Sequence, residues 1–228
     1  IQLQHLVQIH QTSQSKQGAQ FIQVDQHAYY LPHQEVASPE VIAFCKANNI
    51  DCAYVPEKQT LRYIKLAVMD MDSTLINIEC IDEIADMMNI KPQVAAITES
   101  AMRGEIEFKE SLTRRVALLN GLEESALKRV IDERLKLNPG AQEWINACKE
   151  HGIKTLLVSG GFEFFANHVK AMLRLDYAES NRLEIVNGRL TGKILGNIVD
   201  GQAKKGVPIA LGKPIFHQFI ALLFCIYL

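Results

Sequence analysis

The sequence has no surplus of positive charge: 24 Lys and Arg stand against 26 Asp and Glu, a formal net charge of −2. Its basic residues gather in nothing beyond short pairs, so the electrostatic footprint of a nucleic-acid-binding protein is missing. It also lacks any C-x-x-C pair or metal-finger spacing among Cys45, Cys52, Cys80, Cys148 and Cys225. An odd set of scattered thiols argues against a disulfide framework and for reduced cysteines in a cytoplasmic protein. No apolar run reaches the roughly 20 residues that a membrane-spanning helix needs. The chain opens at Ile1 without a basic-then-apolar leader, so the expectation is an incomplete N-terminus and no signal sequence. Acidic residues are absent altogether from Gly201 to Leu228.

What is present describes a soluble globular chain. Its 228 residues are 48% apolar and 22% charged, enough for one large domain or a core with a smaller partner. Residues 1–62 read as a small accessory α+β unit. Leu3 to Ile9 and Phe21 to Leu31 hold β-favouring stretches joined by a polar, Gln-rich connection, and Ser38-Pro39-Glu40 opens a helix with a good N-cap and a tolerated first-turn proline. Asp51 to Val55 is expected to be another strand, completing a ββαβ fragment without a Gly-rich loop or clustered acids.

From Leu66 the pattern changes. Leu66 to Met69 is apolar enough for a buried parallel strand, and it runs into Asp70-Met71-Asp72-Ser73-Thr74-Leu75. Strands of this kind deliver catalytic groups at their carboxyl ends, and two acids there need a cation or a phosphate-binding shell to offset their charge. The alternative is a strand-to-turn junction capped by Asp72 and Ser73. Glu79 to Asn89, Pro92 to Met102, Phe108 to Leu119 and Glu123 to Leu135 carry apolar residues at helical spacing and suggest a four-helix bundle. A further helix follows Asn138-Pro139-Gly140, then a buried strand over Ile153 to Val158. That strand runs into Ser159-Gly160-Gly161-Phe162 and a helix from Phe162 to Leu173. A strand, Ser-Gly-Gly and a helix start would suit a phosphate dianion, although a plain βα turn reads the same way. Asn187-Gly188 between alternating segments predicts a type I′ hairpin. Lys204 and Lys205 are candidate fixed charges or ordinary surface lysines.

In this order the motifs resemble the phosphoserine phosphatase family of the haloacid dehalogenase superfamily. The resemblance covers roughly Leu66 to Lys204, through Met69 to Ile76, Glu79 to Ala85, Ala101 to Gly104, Phe108 with Ser111-Leu112, Arg114 to Leu119, and Val158 to Phe162. It implies an α/β fold with a Rossmann-like parallel core (63–78 and 137–228), a helical-bundle cap (79–136) and the small N-terminal unit. It implies hydrolysis of O-phosphoserine in serine biosynthesis, with Asp70 as nucleophile, Asp72 as acid and base, and Lys204, or Lys205 by register, neutralising charge. Magnesium would bind the Asp70 carboxylate and the Asp72 backbone carbonyl. Ser159 and Gly160 would hold phosphate. Arg115 would clamp the amino-acid carboxylate, Glu79 would pair with the ammonium group, and Met102 and Phe108 would wall off water. The partner implied is a small molecule, with neither nucleic acid nor membrane, and a homodimer is an open option. On spacing alone Glu79 reads as a helix cap, Arg115 as half of a surface ion pair, and Met102 and Phe108 as bundle core.

The departure from the family is at the other end. Its members carry Gly-Asp-Gly-x-x-Asn-Asp after the lysine, and the acid of that motif completes the magnesium shell. Here the chain runs through Gly206 to Pro214 into the apolar stretch Phe219 to Leu228. The expectation is a truncated or frame-shifted tail on an incomplete sheet, with a membrane anchor as a weaker option. Related phosphatases of other small phosphomonoesters, such as phosphohomoserine, and a silent phosphoamino-acid-binding or protein-interaction domain are the other readings.

Overall fold

The computed structural model describes residues 2–13, 20–34, 38–55, 61–201, 203 and 219–222. The chain divides into two compact units, Ile1–Thr60 and Leu61–Leu228.

The first unit holds helix α1 (Leu3–Thr12), a short antiparallel pair β1 (Ile22–Gln23) and β2 (Tyr29–Tyr30), and helix α2 (Pro39–Ala47). Two expectations fail here. Leu3 to Ile9 is helical, because Leu6 and Ile9 are buried at a spacing of three and Ile9 packs with Val41 and Cys45 of α2; helical periodicity outweighed β-favouring side chains. Asp51 to Val55 forms no strand and pairs with none among the described residues, so the ββαβ order is replaced by αββα. A strand needs a ladder partner, and alternation alone does not supply one. The opening of α2 is as expected: the Ser38 hydroxyl accepts the Val41 N–H and Pro39 occupies the first turn.

In the second unit, strand β3 (Leu66–Met69) is followed by helices α3 (Cys80–Met87), α4 (Lys91–Met102), α5 (Phe108–Ala117) and α6 (Glu124–Glu133). Helix α7 (Ala141–Glu150), strand β4 (Lys154–Phe162), helix α8 (Glu163–Leu173) and strands β5 (Tyr177–Val186), β6 (Arg189–Leu195) and β7 (Phe219–Leu222) complete it. The sheet order is β6-β5-β4-β3-β7. Strands β3, β4, β5 and β7 run parallel, and β6 is an antiparallel edge. This is the Rossmann-like core, with β3 between β4 and β7 and its carboxyl end leading into the four-helix insertion. The hairpin turn has φ 51° at Asn187 and φ 73° at Gly188, the two left-handed residues that a type I′ turn requires.

Three of the four inserted helices, α3, α5 and α6, pack directly into the core cluster. Ile84, Leu112, Val116, Leu127 and Val130 belong to one buried cluster with Met69, Met71, Leu157, Phe162 and Phe165 of the core. The two chains linking cap and core also pair with each other. Ile76 and Leu137 form an isolated antiparallel bridge, and the Asn138 side-chain amide donates to the carbonyls of Thr74 and Ile76. On the far side, the Gly121 N–H donates to Leu190 O at 2.8 Å and the Leu190 N–H to Leu122 O at 2.8 Å, stitching the α5–α6 joint to the β5–β6 hairpin. Among the described residues no helix is long and apolar enough to cross a membrane.

Candidate active site

The site begins where β3 ends. Its last residues are buried between β4 and β7, and the chain leaves the sheet at Asp70. The next turn is wound around the Met71 carbonyl, which accepts the N–H groups of Thr74, Leu75 and Ile76. Met71 itself is fully buried. Ser73 takes a left-handed φ of 50° and donates its N–H to Ile78 O at 3.1 Å. This tight loop is why two acids one residue apart are held fixed: Asp70 Oδ1 accepts the Met71 N–H at 2.8 Å, while Asp72 turns toward the cap.

Asp72 is gripped from two elements. Its Oδ1 accepts the Cys80 N–H at 3.0 Å, at the start of α3. The other oxygen, Oδ2, lies 3.4 Å from the Ser159 hydroxyl at the end of β4. Burial pushes the Asp72 carboxyl up to about 6; the charges of Glu79 and Asp70 push the same way, and hydrogen bonds from Cys80 oppose them. A carboxyl in that range exchanges a proton near neutral pH.

Ser159, Gly160 and Gly161 are not a turn before the helix, as the sequence suggested. Strand β4 continues through Phe162, with a register shift against β5 between Val158 and Phe162, and α8 starts at Glu163. A bulge of this kind re-aims side chains at a strand end. The Ser159 hydroxyl is buried and accepts the Gly161 N–H at 2.9 Å. Gly161 cannot carry a side chain without displacement, since a Cβ there would lie 2.5 Å from Asp72 Oδ2.

The cap residues close over this floor. The tip of the Phe108 ring would be 3.0 Å from a Cβ at Gly160, so the first residue of α5 covers the bulge. Phe108 and Met102 are 41% and 60% exposed, which rules out bundle core for both. Glu79 occupies the N-cap position of α3 but makes no side-chain cap bond; Oε1 accepts the Ser73 hydroxyl at 2.6 Å instead. Burial raises its carboxyl, as do the charges of Asp82 and Asp70, against Ser73 and Arg115. Arg115 is half-buried rather than paired at the surface. Its Nε and Nη1 make long contacts of 3.4 Å to Ser111 O and 3.5 Å to Thr98 Oγ1. Burial lowers its guanidinium and the charges of Asp82 and Glu79 raise it. The charges of Arg115 and Glu79 thus act on each other, and that of Asp70 acts on Glu79.

Two residues escaped the sequence reading. Asn181, buried within β5, donates to Gly160 O at 2.8 Å and accepts the Val199 N–H at 2.8 Å. An Asn inside a strand is a poor β former, and that misfit was the available signal. Cys80 is the other: the sequence reads it as one more reduced thiol, whereas its N–H holds Asp72. Asp200 lies 3.1 Å from Lys109 of α5. Lys204 and Lys205 lie outside the described residues. Among the described residues no three His, Cys, Asp or Glu gather into a metal-binding group; Asp70 and Asp72 offer hard oxygen donors, the type magnesium prefers.

Residues 67–215 match the family of haloacid dehalogenase-like hydrolases. A phosphoserine phosphatase of Idiomarina loihiensis is 58% identical over 139 residues, covering 61% of this chain and 63% of its own length. The chain therefore spans less than two thirds of the length of such curated relatives. A haloacid dehalogenase family hydrolase from Salmonella enterica serovar Typhi shares the fold with a TM-score of 0.78 at 30% identity, over 97% of this chain and 80% of that one. A phospho-aspartyl intermediate analogue of phosphoserine phosphatase matches with a TM-score of 0.61 at 37% identity, over 69% and 77%.

Proposed function

The chain belongs to the haloacid dehalogenase-like hydrolases, and within that family we propose that it hydrolyses O-phosphoserine to serine and phosphate through an aspartyl phosphate on Asp70. The observation that carries this reading is the grouping of charge around the end of β3: Asp72 lies beside Ser159, Glu79 is bound to Ser73 of the same loop, and the charges of Glu79 and Arg115 act on each other from the cap. A zwitterionic amino acid bearing a phosphate is complementary to such a set of charges.

An Asp70 oxygen attacks phosphorus as the bond to the serine oxygen breaks, and protonated Asp72 gives its proton to that departing oxygen. Asp72, now a carboxylate, takes a proton from water as the water attacks the acyl phosphate. Phosphate leaves and Asp70 is restored. The raised carboxyl of Asp72 suits both duties. Ser159 and the Gly160 N–H hold phosphate oxygens, and Lys204 adds positive charge. Arg115 binds the substrate carboxylate, Glu79 its ammonium, and Phe108 and Met102 exclude water. The Asp70 carboxylate and the Asp72 carbonyl would hold magnesium, which takes few protein oxygens and several waters and supplies charge against the phosphate dianion. On this reading the activity would serve serine biosynthesis in the cytoplasm.

Phosphate release from phosphoserine, with magnesium titrated, tests the reading. Wild-type chain should turn over and trap an acid-labile phosphate, and Asp70→Asn should do neither. Equal rates on phosphates lacking the amino or carboxyl group would instead point to a broader phosphomonoesterase, and a faster rate on phosphohomoserine, which keeps both groups, to a related phosphatase of that substrate.

The lack of any Asp or Glu from Gly201 to Leu228 favours one second reading, a domain that binds the phosphoamino acid without turning it over. Binding of phosphoserine with no phosphoenzyme at any magnesium concentration would select it.

A further inference from the structure

Two of the cysteines meet in the N-terminal unit. Cys45 is in the last turn of α2, 2% exposed and packed with Ile9 and Val41. The helix stops there: Asn48 donates its N–H to the carbonyls of Phe44 and Cys45, and Asn49 turns left-handed at φ 52°. The Ile50 N–H then returns to Cys45 O at 2.9 Å. The chain is folded back on itself, and two residues later Cys52 stands beside Cys45. Both line one cavity of about 350 Å³, with Leu6, Tyr29 and His33 on other walls. The Cys52 thiol is close enough for its charge to act on Cys45.

The other described cysteines belong to the second unit and are buried: Cys148 with Ile64, Ala67 and Ile153, and Cys80 against Asp72. Within the pair the environments differ. Cys52 is exposed and Cys45 is buried. Burial, and then the neighbouring Cys52, push the Cys45 thiol up to about 11.

We propose that Cys45 and Cys52 are a redox modification site, closing to an intramolecular disulfide when hydrogen peroxide reaches Cys52 and reopening with a thiol reductant. The Cys52 thiolate attacks the peroxide; an S–O bond forms, the O–O bond breaks, and the released hydroxide takes up a proton to leave as water. The Cys45 sulfur then attacks the Cys52 sulfur. The S–S bond forms, the S–O bond breaks, and the second hydroxide leaves as water with the Cys45 proton. Two thiols lose two hydrogens and one peroxide becomes two waters. Exposure makes Cys52 the thiol that meets the oxidant, and burial makes Cys45 the one that resolves it. Closure pins the segment Asp51–Val55 to the end of α2 along one wall of the cavity.

Trypsin cuts after Lys46, between the two cysteines, so only a disulfide keeps their peptides together. Reduced full-length chain is treated with hydrogen peroxide, alkylated, digested without reductant and weighed. The expected product is a joined Cys45/Cys52 peptide pair about 2 Da lighter than the sum of the two thiol peptides. It should separate on reduction, be absent from Cys52→Ser and be retained in Cys148→Ser. Cys52 recovered as sulfinic or sulfonic acid beside a reduced Cys45 overturns the proposal. So does Cys52 bonded to another cysteine or to a second chain. Oxidised glutathione on native wild-type chain gives an independent reading: the mixed disulfide at Cys52 should be displaced by Cys45, and its persistence also overturns the assignment.

Discussion

The Cys80 N–H reaches Asp72 Oδ1 at 3.0 Å, so the first residue of the leading cap helix holds an acid that belongs to the core. On the same loop the Ser73 hydroxyl reaches Glu79 at 2.6 Å. Core and cap are therefore joined at two adjacent points by groups that the proposed reaction uses, and a change in either reaches both the proton-transferring acid and the substrate-facing cap.

The raised carboxyl of Asp72 has a consequence for stability. It titrates at about 6 in the folded chain and near 3.9 unfolded. Between those values the folded state holds more protons, so stability falls as pH rises through this window and stays lower above it. Asp72→Asn keeps an oxygen for Cys80 and removes the charge. In chelator-treated chain it should unfold later than wild type at pH 7.5. The advantage should be on the order of 1–2 kcal/mol, discounted for the carboxylate's partial access to water, and should vanish below about pH 4. An advantage that stays constant from pH 3.5 to 7.5 would falsify the assignment.

Gly161→Ala puts a methyl group 2.5 Å from Asp72 Oδ2 if nothing moves. The carboxylate is the part that can give way, so phosphate release should fall at least about tenfold, because displaced catalytic groups lose their alignment. The melting temperature should change much less. Gly160→Ala meets chiefly the tip of the Phe108 ring, which can swing, so its effect should appear in KM before kcat. Equal kinetic effects of the two substitutions would contradict this division.

Asn181→Leu removes the partners of Gly160 O and Val199 N–H. Two polar groups would be left without partners, at a cost of about 2–4 kcal/mol. Urea unfolding followed by fluorescence should show the lower midpoint. A shift below about 0.5 kcal/mol would mean that water replaces the amide without loss.

Acid should act through Asp176. Burial raises its carboxyl, but this is outweighed by bonds from Lys154 and from the N–H and hydroxyl of Thr155, and the net displacement is downward. Its contribution is present above the unfolded value and lost as pH falls through the lower folded one. Asp176→Asn should destabilise the chain at pH 7 by about 1 kcal/mol, limited by the exposed lysine partner. The gap to wild type should narrow as pH falls below the ordinary carboxylate range. Thermal melts from pH 2.5 to 7 would reveal a gap that fails to narrow.

Much of the second unit was legible because its signals are local. Helices α3 to α6 follow apolar spacing, and the hairpin follows Asn187-Gly188. The first unit was misread where helix and strand compete over short apolar runs: Leu3 to Ile9 satisfies both patterns, and only packing of Leu6 and Ile9 decides. The bulged end of β4 was hidden because Ser-Gly-Gly signals a turn, whereas Asn181 and the Val199 N–H, distant in sequence, hold it in the strand. Spacing by itself would have assigned Phe108 to the bundle interior; its position over Gly160 depends on how the cap meets the core.

The bridge between Ile76 and Leu137 means that the four-helix insertion leaves and re-enters the core at adjacent points. Strands β3 and β4 do not depend on the length of what lies between. Such a doorway tolerates change in the helices beyond it only where Glu79 and Cys80 at its threshold are kept, since they hold Ser73 and Asp72.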